Sequence, residues 1–449
     1  MNRTHRDTNR SEKFFWLSIS MILLSLGALA WMVGDLSGSS PFIWMMGILL
    51  IVVVLRYPLV GFGFVIVSTT IVELLPRISL LSSVIPLIGA GTLLIFFVQQ
   101  KQSGQDLREW HFTSVEVLGL VYFLWVVLSN PNASFFGADR SWILTFVQLW
   151  LLMWMARKFI RSERDHVLIM GVVALGILVS AIVAVQGIGL EFGFSERAAG
   201  LSGGANTAAR YFVYGILLFN LLRIYFHQQA GKRLLILVGI VVLMLALIAT
   251  GSRTGLLLLG VAIFFLSQRF LIGKQRSFAL WLILGLGLGW IFVQVSGSNL
   301  DPARIFDAVL SGSDTVGARY NFWRAGWAMW QDFPVFGVGV GMFRYYLLSY
   351  WQSSDPIVAF TPHNTYIQVL AETGIVGFVL FSSLIILAIR NYWANIQAAS
   401  KSGMSHIYWT WLIILVVLLV GGMTKTDSID KFLWFLLGMS ANKQYEILE

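Results

Sequence analysis

Apolar runs of roughly 16 to 25 residues, each cut by a short polar break, recur along almost the whole chain, and nothing constrains its fold more. Segments of that length and polarity are the signature of transmembrane helices. The bulk numbers agree: 57% of the 449 residues are hydrophobic and 12% are charged, whereas a soluble domain carries about twice that charged fraction. The fold class expected is an all-α integral membrane protein of about 12–14 transmembrane helices. No internal repeat, low-complexity tract or soluble domain is visible. The apolar run from Phe14 follows Arg3, Arg6, Arg10 and Lys13, and lacks a convincing small-residue cleavage site, so it reads as an uncleaved first span.

The spans are expected near 14–33, 41–55, 58–75, 79–98, 114–129, 141–156, 167–189 and 208–226, then near 233–250, 255–272, 278–295, 364–390, 407–423 and 430–440. The last is the shortest and is open to a half-buried placement. One long excursion interrupts them, residues 296–363. The chain thus divides into N-terminal spans (1–189), a central region with the long loop (190–390) and C-terminal spans with a tail (391–449).

Charge orients the array. With the basic N-terminus inside, about two thirds of all Lys and Arg fall in inside loops, as the positive-inside rule requires. Both termini are then cytoplasmic and the 296–363 loop is outside. The net charge of +9 reflects that loop bias, and no nucleic-acid partner is expected. The exceptions carry the information. Arg77, Arg140, Arg197, Arg210, Arg253, Arg304, Arg319, Arg324 and Arg344 land outside, with Lys there only at Lys425 and Lys431. Arginine suits bidentate binding of phosphate; interfacial snorkelling to lipid headgroups is the competing account.

Three constellations stand out on the outer side. In Arg197-Ala198-Ala199-Gly200-Leu201-Ser202-Gly203-Gly204-Ala205-Asn206, glycines permit close backbone approach to a ligand while Arg197 and Asn206 supply donors, although a plain connector has the same composition. Thr250-Gly251-Ser252-Arg253-Thr254-Gly255 is the entire break between two apolar runs. It holds Arg253 at or just below headgroup level, next to a helix N-terminus suited to an anion; a capped turn with a snorkelling arginine is the plainer reading. In the long loop, Thr315–Asp332 has helical spacing with Arg319, Trp323, Gly326, Trp327 and Trp330 on one side, suited to a helix lying at the membrane interface and ended by Pro334. The Gly337, Gly339, Gly341 run has no strand–helix context, so it reads as a tight turn rather than a dinucleotide fingerprint.

His363 sits where the next span begins, and Asn364, Gln368 and Glu372 follow at i, i+4 and i+8 on one helical face. A carboxylate and amides inside a membrane helix should face protein. A histidine there suits a cap, an interfacial residue or a general base for a hydroxyl acceptor. The chain has no cysteine, which excludes disulfides and Cys-ligated metals, and no zinc-ligand spacing surrounds His363. Neither a metal nor another cofactor is expected.

Taken in order, Arg197…Gly200…Asn206, Gly251-Ser252-Arg253-Thr254-Gly255, Arg319…Trp323…Asp332-Phe333-Pro334-Val335-Phe336-Gly337-Val338-Gly339 and His363-Asn364-Thr365-Tyr366…Glu372-Thr373-Gly374…Gly377 resemble the O-antigen ligase and O-antigen polymerase superfamily of bacterial membrane glycosyltransferases. The likeness covers roughly residues 190–390. One departure is Gly203-Gly204-Ala205 before Asn206, where many members carry Asn-Pro.

The resemblance implies a metal-independent, all-helical glycosyltransferase on the outer face of the bacterial cytoplasmic membrane. Its donor would be a glycan on undecaprenyl diphosphate, and its acceptor a sugar hydroxyl on a glycan or lipid-linked glycan, among membrane lipids. It further implies that Arg197, Arg253 and Arg319 hold the diphosphate, that His363 activates the acceptor, and that Asn206, Asn364 and Glu372 support them. Ligase and polymerase stay open, and a lipid-linked glycan transporter or flippase is the alternative from a different class.

Overall fold

The computed structural model describes residues 58–68, 70, 89–98, 111–129, 141–186, 198–270, 314–352, 361–400 and 404–442. The expected spans at 14–33, 41–55 and 278–295 lie outside these residues, as do loop residues 296–313 and 353–360 and Arg197. Among the described residues there are thirteen helices and no strand: an all-α membrane protein. Four helices are long and apolar enough to cross a membrane, and five shorter apolar ones accompany them.

In chain order the helices are α1 (Pro58–Val67), α2 (Gly89–Val98), α3 (Ser114–Leu128), α4 (Ser141–Phe159), α5 (Glu163–Val185), α6 (Ala205–Tyr225) and α7 (Ala230–Ala249). They continue with α8 (Arg253–Phe270), α9 (Asp314–Asp332), α10 (Phe343–Tyr350), α11 (Thr365–Ala398), α12 (Met404–Gly421) and α13 (Lys431–Ser440). The polar breaks do more than separate apolar runs, because they supply the caps that helix ends need. Thr113 with Glu116 and Ser162 with Asp165 form capping boxes at α3 and α5. Asn364 and Asp430 cap α11 and α13 through their side chains.

The chain forms two compact units. In the first, α5, α6 and α7 pack on one another and α1 packs on α5. The side chains are close-fitting: a methyl added at Gly215 of α6 would meet Ile177 of α5 at 2.9 Å and Leu243 of α7 at 3.0 Å. Phe159 packs on Phe62 of α1 and Phe96 of α2, with ring centres 5.4 and 4.4 Å away.

In the second unit α11 is the hub, touching α3, α9, α10, α12 and α13. The short α13 is not half-buried: every residue from Phe432 to Ser440 is buried, and Trp434 has no exposed surface. Ten residues are too few to cross hydrocarbon, yet the Trp434 ring lies against Tyr122 of α3 and Phe146 of α4. A buried ion pair ties α4 to α3, with Arg157 Nε 2.7 Å from the Glu116 carboxylate.

The expected amphipathic helix exists as α9, ending before Pro334. Phe322, Ala325 and Met329 face inward together with Gly326, whereas Trp327 is 47% exposed. Gly326 decides this, since a side chain there would meet Ile367 of α11 at 2.5 Å. Phe322 and Met329 then join Met342, Phe343 and Leu347 in a core between α9, α10 and α11. The Tyr350 hydroxyl donates to Asp332 at 2.6 Å, fastening α10 to the end of α9. Burial, then this bond and the Asp332 charge, push the Tyr350 phenol up to about 12.

Helix α11 is broken at Gly374, whose φ of 65° and ψ of −171° interrupt the ladder. Its displaced backbone groups find partners from elsewhere. Val338 N–H donates to Ala371 O and Gly339 N–H to Glu372 O, both at 2.9 Å, while Ile375 N–H donates to Pro334 O at 2.8 Å. Trp125 Nε1 of α3 donates to Thr373 O at 2.9 Å, and its ring stacks on Phe336 with centres 4.9 Å apart. The Pro334–Gly339 turn is therefore docked into the break.

Gly374→Ala puts a methyl into the Val335 carbonyl at a φ that disfavours any side chain, and is expected to cost about 2–4 kcal/mol. Trp125→Phe keeps the stack but leaves Thr373 O unpaired, for about 1–3 kcal/mol. Thermal unfolding of the purified variants in detergent measures both.

Candidate functional site

Asn206 and Arg253 belong to the first unit; Arg319, His363, Asn364 and Glu372 belong to the second. Arg197 lies outside the described residues, and its neighbour Ala198 donates to Ala249 O at the end of α7 at 3.3 Å. The glycine-rich loop and the Thr250–Gly255 turn, separate in sequence, are thus neighbours. Leu201 N–H and the Ser202 hydroxyl bond Ser180 Oγ of α5 at 2.9 and 3.1 Å, pinning the loop from below.

The turn is organised by Ser252. Its hydroxyl accepts from Gly255 N–H at 3.2 Å, capping α8, and donates to Asn206 Oδ1 of α6 at 2.8 Å. Thr250 Oγ1 accepts from Ser252 N–H at 3.2 Å. Gly255 lets α8 approach α6, since a Cβ there would sit 2.6 Å from that of Ala209. Arg253 opens α8 with its side chain exposed, where the helix N-terminus adds partial positive charge. Asn206 therefore positions the arginine turn. Arg210, one helical turn further along α6, is only 3% exposed and belongs to the packed interior rather than to an outer loop.

In the second unit the polar face expected from Asn364, Gln368 and Glu372 does point into protein. Asn364 Oδ1 accepts from Tyr366 and Ile367 N–H at 2.9 and 3.1 Å, so its role is to start α11. Glu372 is 4% exposed. Its carboxylate accepts from Phe343 N–H at 3.4 Å and also from the Gly341 backbone and the Gln368 side chain. Glu372 braces the Gly337–Phe343 segment against α11, and that support is structural.

His363 is held differently. Its φ of 48° makes it the non-glycine residue with left-handed backbone among those described, a conformation that persists only when its surroundings enforce it. Trp323 Nε1 of α9 donates to Pro362 O at 2.9 Å, and the Phe322 ring lies edge-on to the imidazole with centres 6.5 Å apart. On the other side Thr365 N–H donates to Gly422 O at 2.7 Å, and Thr365 Oγ1 donates to Lys425 O at 2.8 Å. The imidazole is half-buried, and burial, then the charges of Arg319 and Lys425, hold its pKa below the usual 6.5. Neutral at pH 7, it can accept a proton at a nitrogen.

Arg319, half-buried on α9, is one of the two charges that lower the imidazole pKa. Arg324 turns instead to Gln352 Oε1 at 2.9 Å, and Arg344 to the Tyr345 hydroxyl at 2.8 Å. Sequence reasoning gave Trp125 no role and named Trp323, Ser252 and Thr365 only within motifs; their partners, far along the chain, reveal their work.

The fold and these two polar clusters define an all-α membrane protein with arginine-bearing turns and a strained histidine at a helix start. Residues 238–382 match the family model described as O-antigen ligase. No curated protein matches the chain. The matched stretch includes Arg253, Arg319, His363, Asn364 and Glu372, and excludes Arg197 and Asn206.

With imidazolium unable to accept a proton, kcat/KM should rise with pH along an acid limb below 6.5. Removing a neighbouring cation raises the imidazole pKa, so Arg319→Gln should displace that limb to higher pH. Full pH–rate profiles of both forms give the measurement.

Proposed function

We propose that this chain transfers a glycan from undecaprenyl diphosphate to an acceptor sugar hydroxyl on the outer face of the bacterial cytoplasmic membrane, acting in assembly of a cell-surface polysaccharide. The observation that carries the reading is His363: a half-buried imidazole biased to its neutral form, in enforced left-handed backbone, within a region matched to O-antigen ligases.

In the proposed step His363 takes the proton of the acceptor hydroxyl as its oxygen attacks the anomeric carbon. The bond from that carbon to the diphosphate oxygen breaks, and undecaprenyl diphosphate leaves with the electron pair. A single displacement of this kind inverts the anomeric configuration. Charge accumulates on the departing diphosphate, where fixed guanidinium groups lower the barrier most. Arg319 is suited to this by its action on His363. The resemblance alone assigns the same role to Arg253, exposed at the α8 N-terminus, and to Arg197. Arginines rather than a bound cation would carry this load, so the reaction should proceed without metal. Ligase and polymerase differ only in the acceptor, a lipid A core or another lipid-linked glycan.

The test is transfer from a purified undecaprenyl-diphosphate glycan by the detergent-solubilised chain. His363→Ala should lower kcat by roughly 10²–10⁴-fold, and Arg253→Ala or Arg319→Ala by about 10²–10³-fold. Prior treatment with a chelator should leave the rate unchanged. Wild-type turnover in His363→Ala and Arg253→Ala would remove the catalytic assignment. Movement of the lipid-linked glycan across vesicles with no new glycosidic bond would replace the transferase with a transporter.

A further inference from the structure

From Phe333 to Gly341, the turn between α9 and α10 carries no charged or hydrogen-bonding side chain. Its backbone is docked on α11, yet Phe333, Val335 and Phe336 are 39%, 46% and 50% exposed. Neighbouring apolar side chains left this open mark a contact surface. The helices that hold the turn fix its height in the bilayer. Helix α12 has 18 residues and qualifies as a span; its length of about 27 Å nearly matches a hydrocarbon core of roughly 30 Å. Gly422, just past its end, accepts from the N–H of Thr365, the first residue of α11. Thr365 therefore stands near one face of the core, and Gly374, nine residues further along α11, lies about 14 Å inside.

The other end of α11 gives a second measure. Gly374 is sixteen residues, about 24 Å, from the exposed Arg390. With Arg390 kept out of a core roughly 30 Å thick, Gly374 is at least about 6 Å beneath the opposite face. Both measures put the break in α11 within hydrocarbon. The turn is at the same height, because Pro334 O accepts from Ile375 N–H at 2.8 Å and Gly339 N–H donates to Glu372 O at 2.9 Å. Irregular backbone at that depth needs its polar groups paired inside the protein. Pro334 has no N–H, Phe333 O accepts from Gly337 N–H at 2.9 Å, and Val338 N–H donates to Ala371 O. The open side chains also continue a surface already apolar. Phe336 stacks on Trp125, flanked on α3 by Leu124 and Leu128 at 52% and 64% exposure, and α11 adds Ile375 and Val379 at 41% and 53%. Polar character resumes at Asp332, which accepts from the Tyr350 hydroxyl.

We propose that Phe333-Pro334-Val335-Phe336 is a membrane insert whose open side chains contact the acyl chains of bilayer lipids, mooring the α9–α10 segment in the leaflet beside it. The inference stands on helix lengths, backbone pairing and exposure, and does not depend on the transfer reaction.

The chain has no cysteine, so any introduced thiol is unique. Val335→Cys and Phe333→Cys, which both spare the Phe336–Trp125 stack, are spin-labelled in the full-length chain in phosphatidylcholine nanodiscs. Each is admitted by an unfolding temperature close to wild type, and either site suffices. Val379→Cys supplies the lipid reference, and Gln228→Cys, exposed in the polar α6–α7 connection, supplies the aqueous one. Relaxation by oxygen, which concentrates among acyl chains, and by a water-soluble nickel chelate reports the surroundings of each label. The turn labels should match Val379→Cys in their oxygen response, with a nickel response several-fold below that of Gln228→Cys. A nickel response equal to that of Gln228→Cys would overturn the insert. Protection from both relaxants would overturn it too, replacing lipid with a protein cover such as a second copy of the chain.

Discussion

The break of α11 at Gly374 is the constraint on which the second unit depends. A continuous membrane helix satisfies its own backbone and offers neighbours only side chains. By turning aside at one glycine, α11 releases the carbonyls of Ala371, Glu372 and Thr373 and the amide of Ile375 to outside partners. Those partners are the turn that follows α9 and a tryptophan of α3. Lipid cannot hydrogen-bond, so the exchange is held firmly: any separation would strand several polar groups at once. The Asp332–Gly341 and Glu372–Gly377 motifs are two halves of one joint.

The joint fixes the register of α9 along α11, and through it the approach of Trp323 to Pro362 and of Arg319 to His363. The histidine corner is then closed from the far side by Thr365 and the α12–α13 connection. Enforcing left-handed backbone at a histidine costs of order 1–3 kcal/mol, which the surrounding hydrogen bonds can supply. The described part of the long loop is better understood as a wall joined at Gly374 and Pro362 than as a separate working part.

Much of this was legible. Most helices among the described residues begin within about four positions of the apolar runs, although α11 runs past its expected end at 390 to Ala398, and α9 begins at Asp314 where helical spacing placed it at Thr315. The inward face of Asn364, Gln368 and Glu372 followed from period alone, because a carboxylate has nowhere else to go in a membrane helix. The division of labour on that face did not. Asn364 and Glu372, grouped with the site, turned out to cap a helix and brace a turn, since a carboxyl or amide shows its partner only in three dimensions. The buried face of α9 was not read from sequence, because close helix packing selects small residues such as Ala325 and Gly326 that carry little weight in a hydrophobic pattern.

By itself, then, the sequence determined an all-α membrane chain, the helix over the long loop and the inward polar face of α11. These depend on composition, period and local charge, which are properties of short stretches. Only the tertiary structure decided that Ala198 meets Ala249, that Trp125 closes the break at Gly374, and that Thr365 holds the Lys425 carbonyl. Each of these is a hydrogen bond between residues distant in the chain. Backbone groups look alike at every position of a sequence, so which of them pair is settled only when the helices pack.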